Sequence, residues 1–462
     1  MVFNSIAFVL FFPIVTLLYF LLPYRYRWML LLAASCVFYM FFIPIYILIL
    51  IGTILIDYVA GLMIERSQGA KRKTFLILSL VSNIGVLAIF KYYNFFIGNL
   101  NSAFATSLPL LKIILPIGLS FHTFQAMSYT IEVFREKQKA ERHLGIYALY
   151  VMFYPQLVAG PIERPQNMLH QFYRKHDFDY DRVVGGLKLM LIGFFKKIVI
   201  ADRLALYVNS VYNSPEQHNG VTLSVATVFF AFQIYCDFSA YSEIAIGAAR
   251  VMGFDLMTNF RRPYFSRSVS EFWKRWHISL SSWFSDYLYK SMGGNRVSMS
   301  RWYLNLLIVF LVSGLWHGAN WTFIIWGGLN GLYLIFGILL KRAALPKGRL
   351  SSVVQVLTTF ALICFSWVFF RANSVQDAKL ITAKLLHPRG SLWIGQPSSF
   401  LFSIIGILIL LLVEFKKEYY NTPFSFLGNE RKMIRYSSYA ALVFLILAIG
   451  VLDGGQFIYF QF

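Results

Sequence analysis

Apolar stretches long enough to cross a bilayer recur from one end of this 462-residue chain to the other, at 5–22, 28–43, 45–64, 74–97, 113–133, 183–204, 222–248, 303–316, 321–340, 352–370, 399–415 and 435–451. A helix of roughly 17–25 residues spans a hydrocarbon core of about 30 Å. Only helices and closed β-barrels satisfy every backbone polar group in lipid. Barrel strands alternate apolar and polar residues over about ten positions, whereas these runs are continuous. The expected fold class is therefore an all-α polytopic membrane protein of roughly 11–13 spans. Two further apolar segments, 144–160 and 268–289, read as re-entrant or interfacial. We take residues 1–462 as one integral-membrane domain: N-terminal spans over 1–133, a core over 144–340 and C-terminal spans over 352–462.

The composition agrees with this reading. Mean hydropathy is +0.60, and 58% of residues are apolar against 14% charged. In a soluble chain a net charge of +21 would point to nucleic acid. Here the basic residues flank spans, as the positive-inside pattern requires: Arg66 with Lys71-Arg72-Lys73, then Arg135, Lys137, Lys139 and Arg142, then Lys341-Arg342 with Lys347 and Arg349. No basic stretch forms a domain of its own, so no nucleic-acid partner is expected. Cys36, Cys236 and Cys364 are isolated in apolar runs and read as small core residues. No Lys or Arg precedes Arg25, so the first span is expected to be retained and not cleaved as a signal peptide.

Parity orders the loops. With 65–73 cytoplasmic, 134–143 is cytoplasmic too, and 205–221, which has no Lys or Arg, is external. The basic segment 161–182 is then cytoplasmic, so 144–160 must enter and return. Its end, Tyr154-Pro155-Gln156-Leu157-Val158-Ala159-Gly160-Pro161, carries the helix breakers that such a return needs. A helical period through 271–289 would set Trp273, Trp276, His277, Leu280, Phe284 and Leu288 on one face.

Two histidines stand out. His317, in Ser313-Gly314-Leu315-Trp316-His317-Gly318-Ala319-Asn320-Trp321, lies between the apolar runs Leu304–Val312 and Trp321–Leu340. Charged side chains at that depth cost on the order of 2.5–3.5 kcal/mol, and a neutral imidazole avoids much of this. Gly314 and Gly318 are i,i+4 neighbours that let backbones approach closely, and Asn320 could fix the histidine tautomer from i+3. Either a base or a buried helix-to-helix hydrogen bond fits His317. His277, among Trp273 and Trp276, is expected nearer the cytoplasmic face as an anchor or a supporting group. A third ligand at metal-site spacing is missing, so no metal is expected. Asp237, in an apolar span, suits an ion pair as well as a polar path, and Lys196-Lys197 suit snorkelling or pairing with it. Arg262 and Arg275 could attract a phosphate-bearing donor or anionic lipid.

No GxSxG, Walker loop or HExxH is present, which argues against a hydrolase or an ATP-driven pump. A neutral histidine facing a hydroxyl is what direct acyl transfer from a thioester requires. The chain in fact resembles the membrane-bound O-acyltransferase family, on its alginate O-acetylation branch. The likeness runs through Met1-Val2-Phe3-Asn4-Ser5 with Phe11-Phe12-Pro13, Tyr154–Pro161 and Tyr235–Gly247. It continues through Asn259-Phe260, Pro263–Ser266, Glu271–Leu280, Tyr287–Tyr289, Gly293–Arg296, Gly314–Trp321 and Phe457–Phe462. Ala240 stands where that family commonly has glycine.

The resemblance implies a ring of helices around a thin central channel, with His317 as the catalytic histidine and His277 as the second characteristic polar position. Asp237, Asn320, Gln156, Trp316 and Arg275 become pocket candidates. It also implies a multi-pass protein of the bacterial inner membrane, with membrane lipids around it. An acetyl group would pass from a cytoplasmic thioester, acetyl-CoA or a phosphopantetheine carrier, toward an exported polysaccharide. A periplasmic or membrane-anchored SGNH-type transferase would be the partner, and no permanently bound cofactor is implied. The rival readings are peptidoglycan, teichoic acid or lipid as acceptor, a non-catalytic acyl-group transporter, and a structural subunit recruiting a soluble transferase.

Overall fold

The computed structural model describes residues 1–158, 160–341, 349–420, 426–452 and 457–458. Ala159 of the re-entrant run, Arg342 and Lys347 of the third basic cluster, and Tyr459–Phe462 of the terminal motif lie outside the described residues. Among the described residues the regular structure is all helical. The chain divides into two compact units, residues 1–190 with 241–257 and residues 191–240 with 258–462.

The elements in chain order begin with α1 (Ile6–Leu21), α2 (Tyr24–Met40), α3 (Ile47–Arg66), α4 (Gly69–Leu87), α5 (Tyr93–Phe104) and α6 (Leu119–Phe134). Short helices α7 (Leu144–Met152), α8 (Tyr154–Leu157) and α9 (Pro165–Phe172) follow, then α10 (Tyr180–Phe194), α11 (Asp202–Tyr212) and the long α12 (Gly220–Met252). The rest comprises α13 (Val269–Arg275), α14 (Ile278–Phe284), α15 (Met299–His317), α16 (Trp321–Lys341), α17 (Arg349–Arg371), α18 (Val375–Leu386), α19 (Pro397–Tyr419) and α20 (Lys432–Ile449). Every apolar stretch marked in the sequence overlaps a helix. Eight helices among the described residues are long and apolar enough to cross a membrane. Helices α1, α2 and α6, at 16, 17 and 16 residues, are shorter than those eight.

Both segments expected to be partial are broken helices. The first breaks at Phe153 between α7 and α8, and all of Tyr147 and Leu149–Val158 is buried, so its irregular backbone is enclosed by protein. The second is not the continuous helix that its period predicts: it breaks at Trp276-His277 between α13 and α14. Ser268 starts α13 by accepting the Glu271 N–H at 3.2 Å, while the Glu271 carboxylate accepts the N–H of the preceding residue, Arg267, at 2.8 Å.

In the first unit, buried Asp57 of α3 accepts hydrogen bonds from Ser79 at 2.6 Å and Asn83 at 2.9 Å, both on α4. These neutral donors satisfy a polar group that lipid would not. In the second unit, α15 and α16 pack backbone to backbone. A Cβ on Gly314 would collide with the Phe323 carbonyl, one on Gly318 with the Phe323 ring, and one on Gly327 with the Phe310 carbonyl. The Gly314/Gly318 pair thus thins α15 toward α16, whose Phe323 fills the space.

In the second unit, Lys197 is a buried cation that holds two carboxylates. Its ammonium, 1% exposed, lies 2.7 Å from Asp202 and 2.6 Å from Asp237. Asp237 also accepts the Ile458 N–H at 2.7 Å, tying the C-terminal segment to α12. Removing the one cation leaves two buried carboxylates without it, a loss on the order of 3–5 kcal/mol. Lys197→Met should therefore lower folded yield and melting temperature sharply. Adding Asp202→Asn and Asp237→Asn should restore much of both in thermal-shift chromatography of detergent-solubilised protein.

Candidate active site

His277 is held by the irregular segment that precedes α13. Asn259 accepts the Ile278 N–H through its carbonyl at 2.9 Å, and Arg261 donates its N–H to the Arg275 carbonyl at 2.9 Å. The side-chain oxygen of Asn259 accepts the Ser279 N–H at 3.2 Å and the Ser279 hydroxyl at 3.0 Å. A backbone N–H can only donate, so the atom it meets is Oδ1 and not the amide nitrogen. His277 Nδ1 lies 3.2 Å from that oxygen and must carry a proton to bond it. The neutral ring then has its lone pair on Nε2.

The backbone of His277 is left-handed, with φ +44°, a conformation disfavoured in a non-glycine residue. The bonds from Asn259 hold it there. The ring is 1% exposed, with Phe238 edge-on at 4.5 Å between centroids and Trp316 at 6.2 Å. His277 lies outside the eight spans, and burial pushes its pKa from 6.5 to about 3.

His317 is the last residue of α15, where Gly318 turns the chain into α16. Aromatic rings enclose it: Trp316 at 4.8 Å, Trp326 edge-on at 5.0 Å and Phe370 at 5.3 Å between centroids. It is 4% exposed. Trp316 is thus a shared wall, in ring contact with both histidines. The helix ends before Asn320, which caps α16 by accepting the Thr322 N–H at 3.1 Å. The expected i+3 pairing on one helix is corrected accordingly: no helical turn joins Asn320 to His317.

Both histidines line one cleft of about 210 Å³. Its walls add Trp273, Lys274, Tyr289 and Ser313, so it is aromatic with a few hydroxyls and one ammonium group. The remaining candidates lie elsewhere. Asp237 is taken up by Lys197 and Ile458, although the next residue, Phe238, touches His277. Arg275 pairs with Glu271 at 2.5 Å and Glu418 at 2.9 Å, and Arg262 pairs with Glu418 at 2.6 Å. Their charges meet carboxylates instead of facing a donor. Gln156, in the first unit, donates to the Tyr150 carbonyl at 2.8 Å. Sequence reasoning missed Asn259 as the partner of His277. The available signal was its place in the Asn259-Phe260 motif.

The profile of the membrane-bound O-acyltransferase family (MBOAT) matches residues 16–374, which include both histidines. The chain is 41% identical over 388 residues to a protein of Pseudomonas aeruginosa named probable alginate O-acetylase AlgI, covering 82% of this chain and 73% of that one. It is 36% identical over 381 residues to a peptidoglycan O-acetyltransferase of Helicobacter pylori, covering 75% and 71%. A teichoic acid D-alanyltransferase of Bacillus subtilis is 26% identical over 273 residues, 55% of this chain and 68% of that protein.

The buried neutral His277 has a consequence for stability. Its folded pKa of about 3 lies below the ordinary 6.5, so the unfolded state binds the extra proton in between. Its contribution is intact above pH 6.5 and is lost as pH falls toward 3, with a slope of up to about 1.4 kcal/mol per pH unit. His277→Gln should show a smaller drop in melting temperature than wild type between pH 7.5 and pH 5. Equal drops would mean that His277 is not buried in its neutral form.

Proposed function

The chain belongs to the membrane-bound O-acyltransferase family and is an O-acyltransferase, and from that premise we propose that it acetylates hydroxyl groups of an exported polysaccharide, drawing the acetyl group from a cytoplasmic thioester. The observation that carries this reading is the single aromatic cleft lined by both His277 and His317.

His317 serves as the general base. As the acceptor oxygen attacks the thioester carbonyl, its proton passes to the imidazole, the new C–O bond forms and the C–S bond breaks. The leaving thiolate takes the proton back as the thiol, and the imidazole returns to its neutral state. No covalent enzyme intermediate is needed. The aromatic enclosure of His317 keeps water from competing for the acyl group. His277, with its lone pair on Nε2, assists by positioning the donor or the transferred proton.

Acetyl-CoA or a phosphopantetheine-bearing carrier serves as donor and binds only as co-substrate. Location in a bacterial inner membrane sets that donor against an acceptor on the far side, and a periplasmic or membrane-anchored SGNH-type transferase completes delivery. Peptidoglycan is the second acceptor to weigh, because the Helicobacter pylori relative named for it is nearly as similar as the alginate O-acetylase.

His317→Ala in reconstituted protein should lower the turnover of labelled acetyl-CoA by about 10²–10⁴-fold. The elution profile and melting temperature should stay near wild type. Transfer at the wild-type rate would remove His317 from the chemistry. Mass spectrometry of surface polymers from a deletion strain assigns the acceptor by which polymer loses its O-acetyl groups.

A further inference from the structure

A second cleft, in the first unit, takes no part in this chemistry. It has a volume of about 210 Å³ and brings together Arg25, Arg27 and Arg174 over Tyr19, Trp28 and Phe172. Arg27 is 8% exposed, yet its partners are neutral. Its Nε donates to the Leu22 carbonyl at 3.1 Å, another guanidinium nitrogen donates to the His176 carbonyl at 2.6 Å, and the group lies 4.8 Å from the centroid of the Tyr19 ring. Arg25 and Arg174 are exposed.

Several other arginines meet carboxylates: Arg72 meets Glu136, Arg142 meets Glu65, and Arg262 and Arg275 meet Glu418, while Arg371 is satisfied by the side chains of Asn209 and Asn213. Among the described residues, the three in this cleft have no such carboxylate. Of the acidic groups nearby, Asp177 pairs with Lys175 at 2.8 Å while also lying within electrostatic reach of Arg27, and Glu141 accepts from the Tyr173 hydroxyl at 2.6 Å. A buried guanidinium hydrogen-bonded to carbonyls and stacked on a ring has no carboxylate in direct contact, and a cluster of three arginines is a site for an anion with several acceptor oxygens.

The surroundings indicate which anion. The cleft sits where α1 turns into α2, and α1 leaves Leu17 and Leu21 61% and 70% exposed on the run that ends there. Cationic side chains at the end of an apolar, lipid-exposed helix match a phosphate diester whose chains continue along that helix. We propose that this cleft binds the phosphate of an anionic phospholipid, with the headgroup against Arg25, Arg27 and Arg174 and the acyl chains along the exposed face of α1.

The test is native mass spectrometry of the full-length protein in neutral detergent, titrated with phosphatidylglycerol or with phosphatidylcholine. Wild type should retain one phosphatidylglycerol in preference to phosphatidylcholine. The exposed double variant Arg25→Gln/Arg174→Gln should bind it about five-fold more weakly per arginine removed. Lys71→Gln/Lys73→Gln, which removes the same charge from exposed positions on α4, should bind it as wild type does. Equal retention of the two lipids, or undiminished retention by the arginine variant, would overturn the proposal. So would an equal loss in the lysine variant, which would mean general charge attraction. Millimolar inorganic phosphate or coenzyme A should leave the lipid in place; displacement by either would assign the cleft to a soluble phosphate compound and overturn the lipid.

Discussion

A bilayer supplies no hydrogen bonds, and this constraint governs nearly every feature of the chain. It makes the regular structure helical. It also requires that wherever a helix stops inside protein, named side chains take over the abandoned backbone groups. The break at His277 shows the requirement met. Asn259 accepts from Ser279 and His277 through its side chain and from Ile278 through its backbone, so one residue stabilises a left-handed turn and fixes an imidazole tautomer together. Local fold and local chemistry there have the same physical cause.

The same constraint separates two kinds of polar residue in the second unit. Lys197 pairs with both Asp202 and Asp237, and their role is structural. His277 avoids the cost of charge by remaining neutral among aromatic rings, His317 is likewise enclosed by rings, and both line a cleft. A neutral group with a lone pair at an enclosed surface can take a proton from an incoming hydroxyl. A carboxylate already bound to an ammonium group is far less suited to that task. This contrast, more than the rarity of histidine in apolar sequence, supports the choice of His317 and His277 over Asp237.

Much of the fold was legible in the sequence because span length and hydropathy are local properties. The break in 144–160 was legible as well, since Pro155, Gly160 and Pro161 announce it chemically. The break at His277 was not. Trp273, Trp276, Leu280 and Phe284 keep a helical period straight across it, and what opposes that period is a set of bonds from Asn259, 18 residues earlier. Asn320 misled for a similar reason: an i+3 asparagine supports a histidine only if the helix continues, and here Gly318 ends it. The glycine spacing at Gly314 and Gly318 correctly indicated close packing, while the partner, Phe323 on α16, follows only from the tertiary structure.

Arginine is where sequence and structure differ most in what they allow. By sequence, Arg262 and Arg275 have the same claim on an anionic ligand as Arg25, Arg27 and Arg174. In the structure, Glu418 of α19 stands between the first two and satisfies both, so a phosphate approaching them would have to displace a carboxylate already in place. The other three meet carbonyls, rings and solvent. Net charge is therefore a poor guide to where this protein receives anions. What makes Arg262 and Arg275 structural here is a shared carboxylate, Glu418, which comes from a helix remote in sequence.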